Sequence, residues 1–308
     1  LPDSYIGSTE KSTEELWYYD KNAGKMTKGL LTFVPGEFKI FDEIVVNALD
    51  QFTRTREKQA RGEDTVPVKT IKVDFNKETG EISVWNDGEG IPVELHEKEK
   101  IYIPELIFGH LLTGSNFRDE GSRYTGGRHG YGAKLTNIFS KEFIVETSDG
   151  KTMYRQRWSD NMRSCEKPEV RSCHDNEEYT RVTFVPDLEH FGDVKVSEII
   201  LATLRRRVYD VAGCNPDVDV YLNGDLVELN SFGDYAKLFV KDQDDVVTAS
   251  LGIPGWDVAV STSSEQQFSH FSFVNNMATH RGGTHVNLIA DHIAAPLAKH
   301  IARMNPEL

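Results

Sequence analysis

The chain has no apolar run approaching the roughly 18 residues that a membrane-spanning helix needs. Its start, Leu1-Pro2-Asp3-Ser4, lacks the layout of a secretory signal. Nothing here predicts a membrane partner. An initiator Met is also missing from position 1, which predicts a fragment of a longer protein. Cysteine is scarce: Cys165, Cys173 and Cys214 are odd in number and show no CxxC spacing. A disulfide framework and a zinc ribbon are thereby disfavoured, and a reducing compartment fits. Positive charge is in deficit, with 35 Lys and Arg against 49 Asp and Glu and a formal net charge of -14. This segment is therefore not the main grip on nucleic acid, which depends on clustered Lys and Arg. Internal repeats and low-complexity stretches are absent as well.

What is present is ordinary globular composition, 38% hydrophobic and 27% charged over 308 residues, a length that suggests two domains and one boundary. After a loop ending in Pro35-Gly36, Phe41, Ile44, Val45, Ala48 and Phe52 recur at helical spacing, predicting a helix over 37–61 that Gly62 stops. Alternation at Ile71, Val73 and Phe75, and again at Ile82 and Val84 after Asn76-Lys77-Glu78-Thr79-Gly80, predicts a hairpin. The stretch from Thr113 to Lys134 is rich in glycine and predicts a functional loop or lid. Strands are expected at 142–147, 152–158 and 180–185, and a helix at 196–212. A second group begins near residue 230, with strands near 246–251, 257–261 and 268–274 and a helix at 284–303.

On the first helix Glu43, Asn47 and Asp50 fall at i, i+4 and i+7, on a face turned away from the apolar stripe. Alone, that describes the wet side of any amphipathic helix. Two further pieces give it weight: Asn86-Asp87-Gly88-Glu89-Gly90-Ile91-Pro92 at a strand end, and Gly127-Arg128-His129-Gly130-Tyr131-Gly132-Ala133-Lys134 leading into an apolar segment. The glycine loop is not a P-loop, since Ala133 separates Gly132 from Lys134 and no Ser or Thr follows the lysine. Nor does it read GxGxxG, which disfavours a Rossmann fold.

Taken in this order the three pieces resemble the motifs of the GHKL ATPases, the group of gyrase-type topoisomerases, Hsp90, MutL proteins and histidine kinases. Within that group, Leu1 to Ser8, Lys39-Ile40-Phe41-Asp42-Glu43, Thr125-Gly126-Gly127-Arg128 and Gly130 to Leu135 are similar to the eukaryotic type IIA topoisomerases. Phe273-Val274-Asn275-Asn276-Met277-Ala278-Thr279 and Gly282-Gly283-Thr284-His285 resemble the transducer of the same family. The likeness covers almost the whole chain. It implies an α+β fold: a GHKL (Bergerat) ATP-binding α/β sandwich, with a mixed sheet covered on one face by helices, over residues 1–229, then a partial ribosomal-S5-domain-2-like transducer over 230–308.

The resemblance also implies roles. Glu43 would orient and deprotonate the water that attacks the γ-phosphate of ATP, help worth about 10² to 10⁴ in rate. Asn47 would complete a Mg²⁺ shell without adding negative charge, and Asp50 joins the nucleotide-binding set. Asn86 would accept the exocyclic amine of adenine, which guanine lacks at that point. Thr180 would support the base through its hydroxyl, while Ile91, Pro92, Ile107 and Phe108 would line the slot; for Ile107 and Phe108 plain core packing is equally compatible. Backbone N–H groups of Gly127, Arg128, His129, Gly130, Tyr131, Gly132 and Ala133 would cradle phosphates, with Ser115 and Asn116 on ribose or phosphate and Lys134 adding charge. At position 129 the family usually carries Asn, and this chain has His129.

The function implied is the ATP-binding and ATP-hydrolysing N-terminal gate of a type IIA topoisomerase. It would be a homodimer clamped by nucleotide, with duplex DNA as partner of the full-length enzyme, in the nucleus or alternatively the mitochondrion. The family takes a transducer lysine from beyond Leu308 and exchanges an N-terminal arm, so binding is expected to survive, dimerisation to weaken, and unaided turnover is left open. The alternatives are a GHKL clamp or chaperone without DNA cleavage, which residues 273–285 disfavour, and a non-hydrolysing sensor, which Glu43 disfavours. His280, His285, His292 and His300 read as helix surface rather than a metal site, and Cys173-His174 as a loop thiol.

Overall fold

The computed structural model describes residues 3–110, 131–250, 255–263 and 267–305. A short α1 (Asp3–Ile6) is followed by β1 (Ser12–Asp20) and β2 (Lys25–Phe33), paired antiparallel from Ser12↔Phe33 to Asp20↔Lys25. The sequence reading made this stretch a loop. The hairpin escaped it because neither strand has a clean apolar face; its buried residues are Met26 and Leu31. In α2 (Pro35–Ala60) the proline stands at the helix start, where its missing N–H removes no intrahelical bond. The helix buries Ile40, Phe41, Ile44, Val45, Ala48, Leu49 and Phe52.

The expected hairpin forms from β3 (Thr70–Phe75) and β4 (Ile82–Asp87), and the Asn76 carboxamide oxygen closes its turn by accepting from the N–H groups of Glu78 and Thr79. Two short helices, α3 (Ile103–Gly109) and α4 (Gly132–Ile138), precede β5 (Ser140–Asp149), β6 (Thr152–Ser159), β7 (Ser164–Cys165), β8 (Glu169–Ser172) and β9 (Glu178–Pro186). The Ser197 hydroxyl caps α5 (Glu198–Cys214) by accepting from the Ile200 N–H at 3.1 Å. This helix returns the chain to β10 (Asp219–Leu222), followed by β11 (Asp225–Leu226). Beyond them lie α6 (Phe232–Lys237), the paired strands β12 (Val247–Ser250) and β13 (Asp257–Val260), the pair β14 (Phe273–Val274) and β15 (Met277–Ala278), and α7 (Thr284–Met304). Of the strand expected near 268–274, only Phe273–Val274 is paired.

The main sheet runs β11-β10-β3-β4-β9-β5-β6-β7, with β8 also on β6. It is mixed because β10 joins β3 in parallel while the other pairs are antiparallel. Its inner face carries Ile71, Val73, Ile82, Val84, Phe143, Val145, Val182 and Phe184, all buried in one core with α2, α4 and α5. On the opposite face Lys72, Trp85, Arg181, Glu146, Arg155 and Glu169 follow one another across the strands. The Lys72 ammonium stands 4.5 Å from the Trp85 ring centre, and Glu146 lies 3.6 Å from Arg181 and 4.0 Å from Arg155. Opposite charges in cross-strand register stabilise this open face slightly. Among the described residues no helix is long and apolar enough to cross a membrane.

Candidate functional site

Glu43 is half-buried on α2. Oε1 lies 2.5 Å from the Lys39 ammonium one turn earlier. Oε2 occupies space that a side chain at Gly132 would need: a Cβ there would be 1.8 Å away. Only glycine allows this approach, so the first residue of α4 sits against the candidate base. The N–H groups of Gly132, Ala133 and Lys134 precede the first bond of this helix turn, Leu135 N–H to Tyr131 O at 2.9 Å, and so belong to the donor-rich end of α4. The helix is fixed on α2 by the Thr136 hydroxyl, which donates to Ile40 O at 2.8 Å. Lys134 is buried at 1% exposure, and burial lowers its pKa to about 8.

At the other end of the site Asn86 is the last but one residue of β4. Across the inner face it neighbours Thr180 on β9, and Thr180 neighbours Thr147 on β5. The hydroxyls of Thr180 and Thr147 are 3.0 Å apart. The Ile91 N–H donates to the Thr147 hydroxyl at 3.0 Å. The Asn86 amide nitrogen donates to Asp87 O at 2.8 Å, which turns the amide oxygen into the acceptor end. Gly90 passes so close to β5 that a Cβ would be 1.8 Å from Ser148 O. Gln51 on α2 donates to Glu89 O at 2.7 Å, and Lys58 holds the Glu89 carboxylate at 2.6 Å. The first two motifs are thus clamped to each other.

The structure corrects one expectation. Glu43, Asn47 and Asp50 do not share a wet face: Asn47 is exposed, but Asp50 is buried at 8% exposure. The reason is that α2 is packed by β4, α4 and α5 and has more than one covered side. Ile91 and Ile107 are partly buried at the edge of the core, and Pro92 is exposed. Phe108 lies in the core, its ring centre 6.1 Å from that of Phe143. Tyr131 stands 5.6 Å from Tyr5, ring to ring. Ser115, Asn116, Gly127, Arg128, His129 and Gly130 lie outside the described residues.

Sequence reasoning missed Thr147 and Lys39. Thr147 had a signal, since it is in phase with Phe143 and Val145, a polar residue at an inward position of an alternating strand. The four histidines do not gather: His285 meets the Thr279 hydroxyl at 3.2 Å, His292 and His300 are exposed on α7, and His280 is exposed in the turn after β15. Among the described residues no group of three His, Cys, Asp or Glu side chains is placed to hold a metal. A cleft of about 250 Å³ lined by Trp17, Arg206, His270, Phe271 and His280 shares no residue with the three nucleotide motifs, and its wall includes Phe273, Ala278 and Thr279 of the transducer-like stretch.

A model of the family described as histidine kinase-, DNA gyrase B-, and HSP90-like ATPase matches residues 37–190. A probable DNA topoisomerase 2 of Dictyostelium discoideum is 45% identical over 308 residues, covering 99% of this chain. The chain spans only 20% of that relative's length. The solved ATPase region of Saccharomyces cerevisiae topoisomerase II bound to ICRF-187 (dexrazoxane) superposes with a TM-score of 0.87 at 44% identity, covering 98% of this chain and 78% of that one. The ATPase and transducer domains of DNA topoisomerase II from Balamuthia mandrillaris give 0.88 at 41% identity, over 99% and 76%.

Proposed function

The chain belongs to the GHKL ATPases and, within them, to the DNA topoisomerase 2 family, and from this we propose that it binds and hydrolyses ATP as the N-terminal gate of a type IIA topoisomerase. The observation that carries the reading is the contact between Glu43 and the start of α4, with the Asn86–Thr180–Thr147 row on the neighbouring strands. One end offers a carboxylate beside backbone donors suited to phosphate, and the other offers an amide and hydroxyls suited to adenine.

Glu43 holds the attacking water and takes its proton. Lys134 and the first N–H groups of α4 bind phosphate oxygens, and an anion beside Lys134 would offset the burial that lowers its pKa to about 8, holding its charge more firmly. Asn86 and Thr180 select the base, with Thr147 fixing Thr180 and the Ile91 backbone. Asn47, a neutral oxygen donor one turn beyond Glu43 and exposed, fits Mg²⁺; the ion would neutralise phosphate charge.

We extend the proposal to the parent protein: a homodimer closed by nucleotide, acting on duplex DNA, in the nucleus. A GHKL clamp or chaperone without DNA cleavage is not favoured, because the likeness to topoisomerase II runs through 98% of the chain. The test is calorimetric binding of a non-hydrolysable ATP analogue, with and without Mg²⁺, to the chain and to Asn47→Ala. Tight Mg²⁺-dependent binding lost in the variant is expected. Absence of binding to the unmodified chain, or binding indifferent to Asn47, would overturn the reading of the pocket.

A further inference from the structure

We propose that the alternating charges of Asp210, Arg207, Asp42 and Lys39 form a positioning relay that fixes the carboxylate of Glu43 and couples it to α6. The inference rests on reading Glu43 as the base. Its outer link is the Tyr235 hydroxyl on α6, which donates to Asp210 Oδ1 at 2.7 Å, both groups buried. Asp210 lies three positions beyond Arg207 on α5, so the two share a helix face. Arg207 Nε donates to Asp42 Oδ1 at 2.6 Å, again with both side chains buried. Burial works against the Arg207 charge, and the Asp42 and Asp210 carboxylates outweigh it and hold its pKa above the ordinary value. The second oxygen of Asp42 is 3.9 Å from the Lys39 ammonium, which stands 2.5 Å from Glu43.

The distances suggest how the relay works. Lys39 has two carboxylates within reach and sits on Glu43, because Asp42 is already neutralised by Arg207. Were Arg207 drawn toward Asp210, Asp42 would be left in need of a cation and would pull Lys39 back, releasing the arm that steers Glu43. Arg207 grips Asp42 through Nε, while its Nη2 is buried with no hydrogen-bond partner among the described residues, leaving a donor for the Asp210 carboxylate. Arg206 extends the coupling, lying 3.6 Å from Asp210, donating to Trp17 O at 3.1 Å and facing the Phe271 ring at 5.8 Å. Movement of α6 or of the segment around Phe271 therefore reaches the base through charges rather than through apolar packing.

The test has two arms. In the first, thermal unfolding is measured for the chain, Lys39→Met, Tyr235→Phe and the double variant. The relay predicts that the double variant departs from the sum of the single shifts by about 2 °C or more. Additive shifts would overturn it whatever nucleotides do. In the second arm, ATP turnover and analogue binding are compared. Lys39→Met should lower kcat about tenfold or more with analogue Kd within about twofold, Lys39→Arg should restore most of the loss, and Tyr235→Phe should lower kcat about threefold at unchanged KM, with no further loss in the Lys39→Met background. Unchanged kcat in Lys39→Met, or a loss confined to binding, overturns the positioning role. If the unmodified chain binds nucleotide without turnover, the kinetic comparison is made in the full-length parent, and if it binds none, it is the reading of the pocket that fails; the unfolding cycle decides the relay in either case.

Discussion

On the open face of the sheet Glu146 lies 3.6 Å from Arg181 and 4.0 Å from Arg155, with all three side chains reaching solvent. In the helix layer Asp42 lies 2.6 Å from Arg207, with both buried. The chemistry is the same and the surroundings differ. Outside, water screens each charge and already solvates it, so the pair adds little. Inside, each charge has lost its water, so either partner left alone is costly even though the pair adds little beyond an apolar substitute. The ladder can therefore vary without harm to the fold, while Asp42 and Arg207 must change together.

The largest expected effect breaks that buried pair. Asp42→Asn should destabilise the chain by about 3–5 kcal/mol in denaturant unfolding; a loss near that of a surface pair would erase the distinction. Next comes Glu37, buried in the first turn of α2, whose pKa is raised to about 7 by burial and then by Asp193, against the pull of Lys11. The folded state binds this proton more tightly than the unfolded chain, whose value is near 4.5. Stability should therefore fall as pH rises from about 4.5 to about 7 and level off above, by about 3 kcal/mol in all. Glu37→Gln should remove that slope, gaining stability at pH 8 and none at pH 4; a slope that persists would assign it to other groups. A smaller loss, about 1–3 kcal/mol, is expected for Thr147→Val, which leaves the Ile91 N–H without its acceptor. It should come with weaker binding of adenine nucleotides, measured by calorimetry. The smallest effect belongs to the open face: Glu146→Ala should cost about 1 kcal/mol or less and nothing in 1 M salt.

Much of the fold was legible because periodicity reports burial directly. The stripe from Phe41 to Phe52 and the alternation in Ile71–Val73–Phe75 gave α2 and β3 within a few residues of their ends. The β1–β2 hairpin was not legible, since its strands lack a single buried face. Glu43, Asn86 and Gly132 were found through motif resemblance, and the tight approaches at Gly90 and Gly132 give those glycines a steric reason. Asp50 was misjudged because helical spacing assumes one covered side, and α2 has several.

The sequence by itself determined the strongly periodic elements, such as α2 and the β3–β4 hairpin, the order of the motifs and the family to which they belong, since each is written in neighbouring residues and local backbone preference. The tertiary structure alone decided that Asp42 meets Arg207 across 165 positions, that Tyr235 meets Asp210, and that Thr147 joins Asn86 and Thr180 in one row. Such pairings depend on the path of the chain between distant elements, and no local pattern of charge or polarity encodes which of many possible partners that path brings within reach.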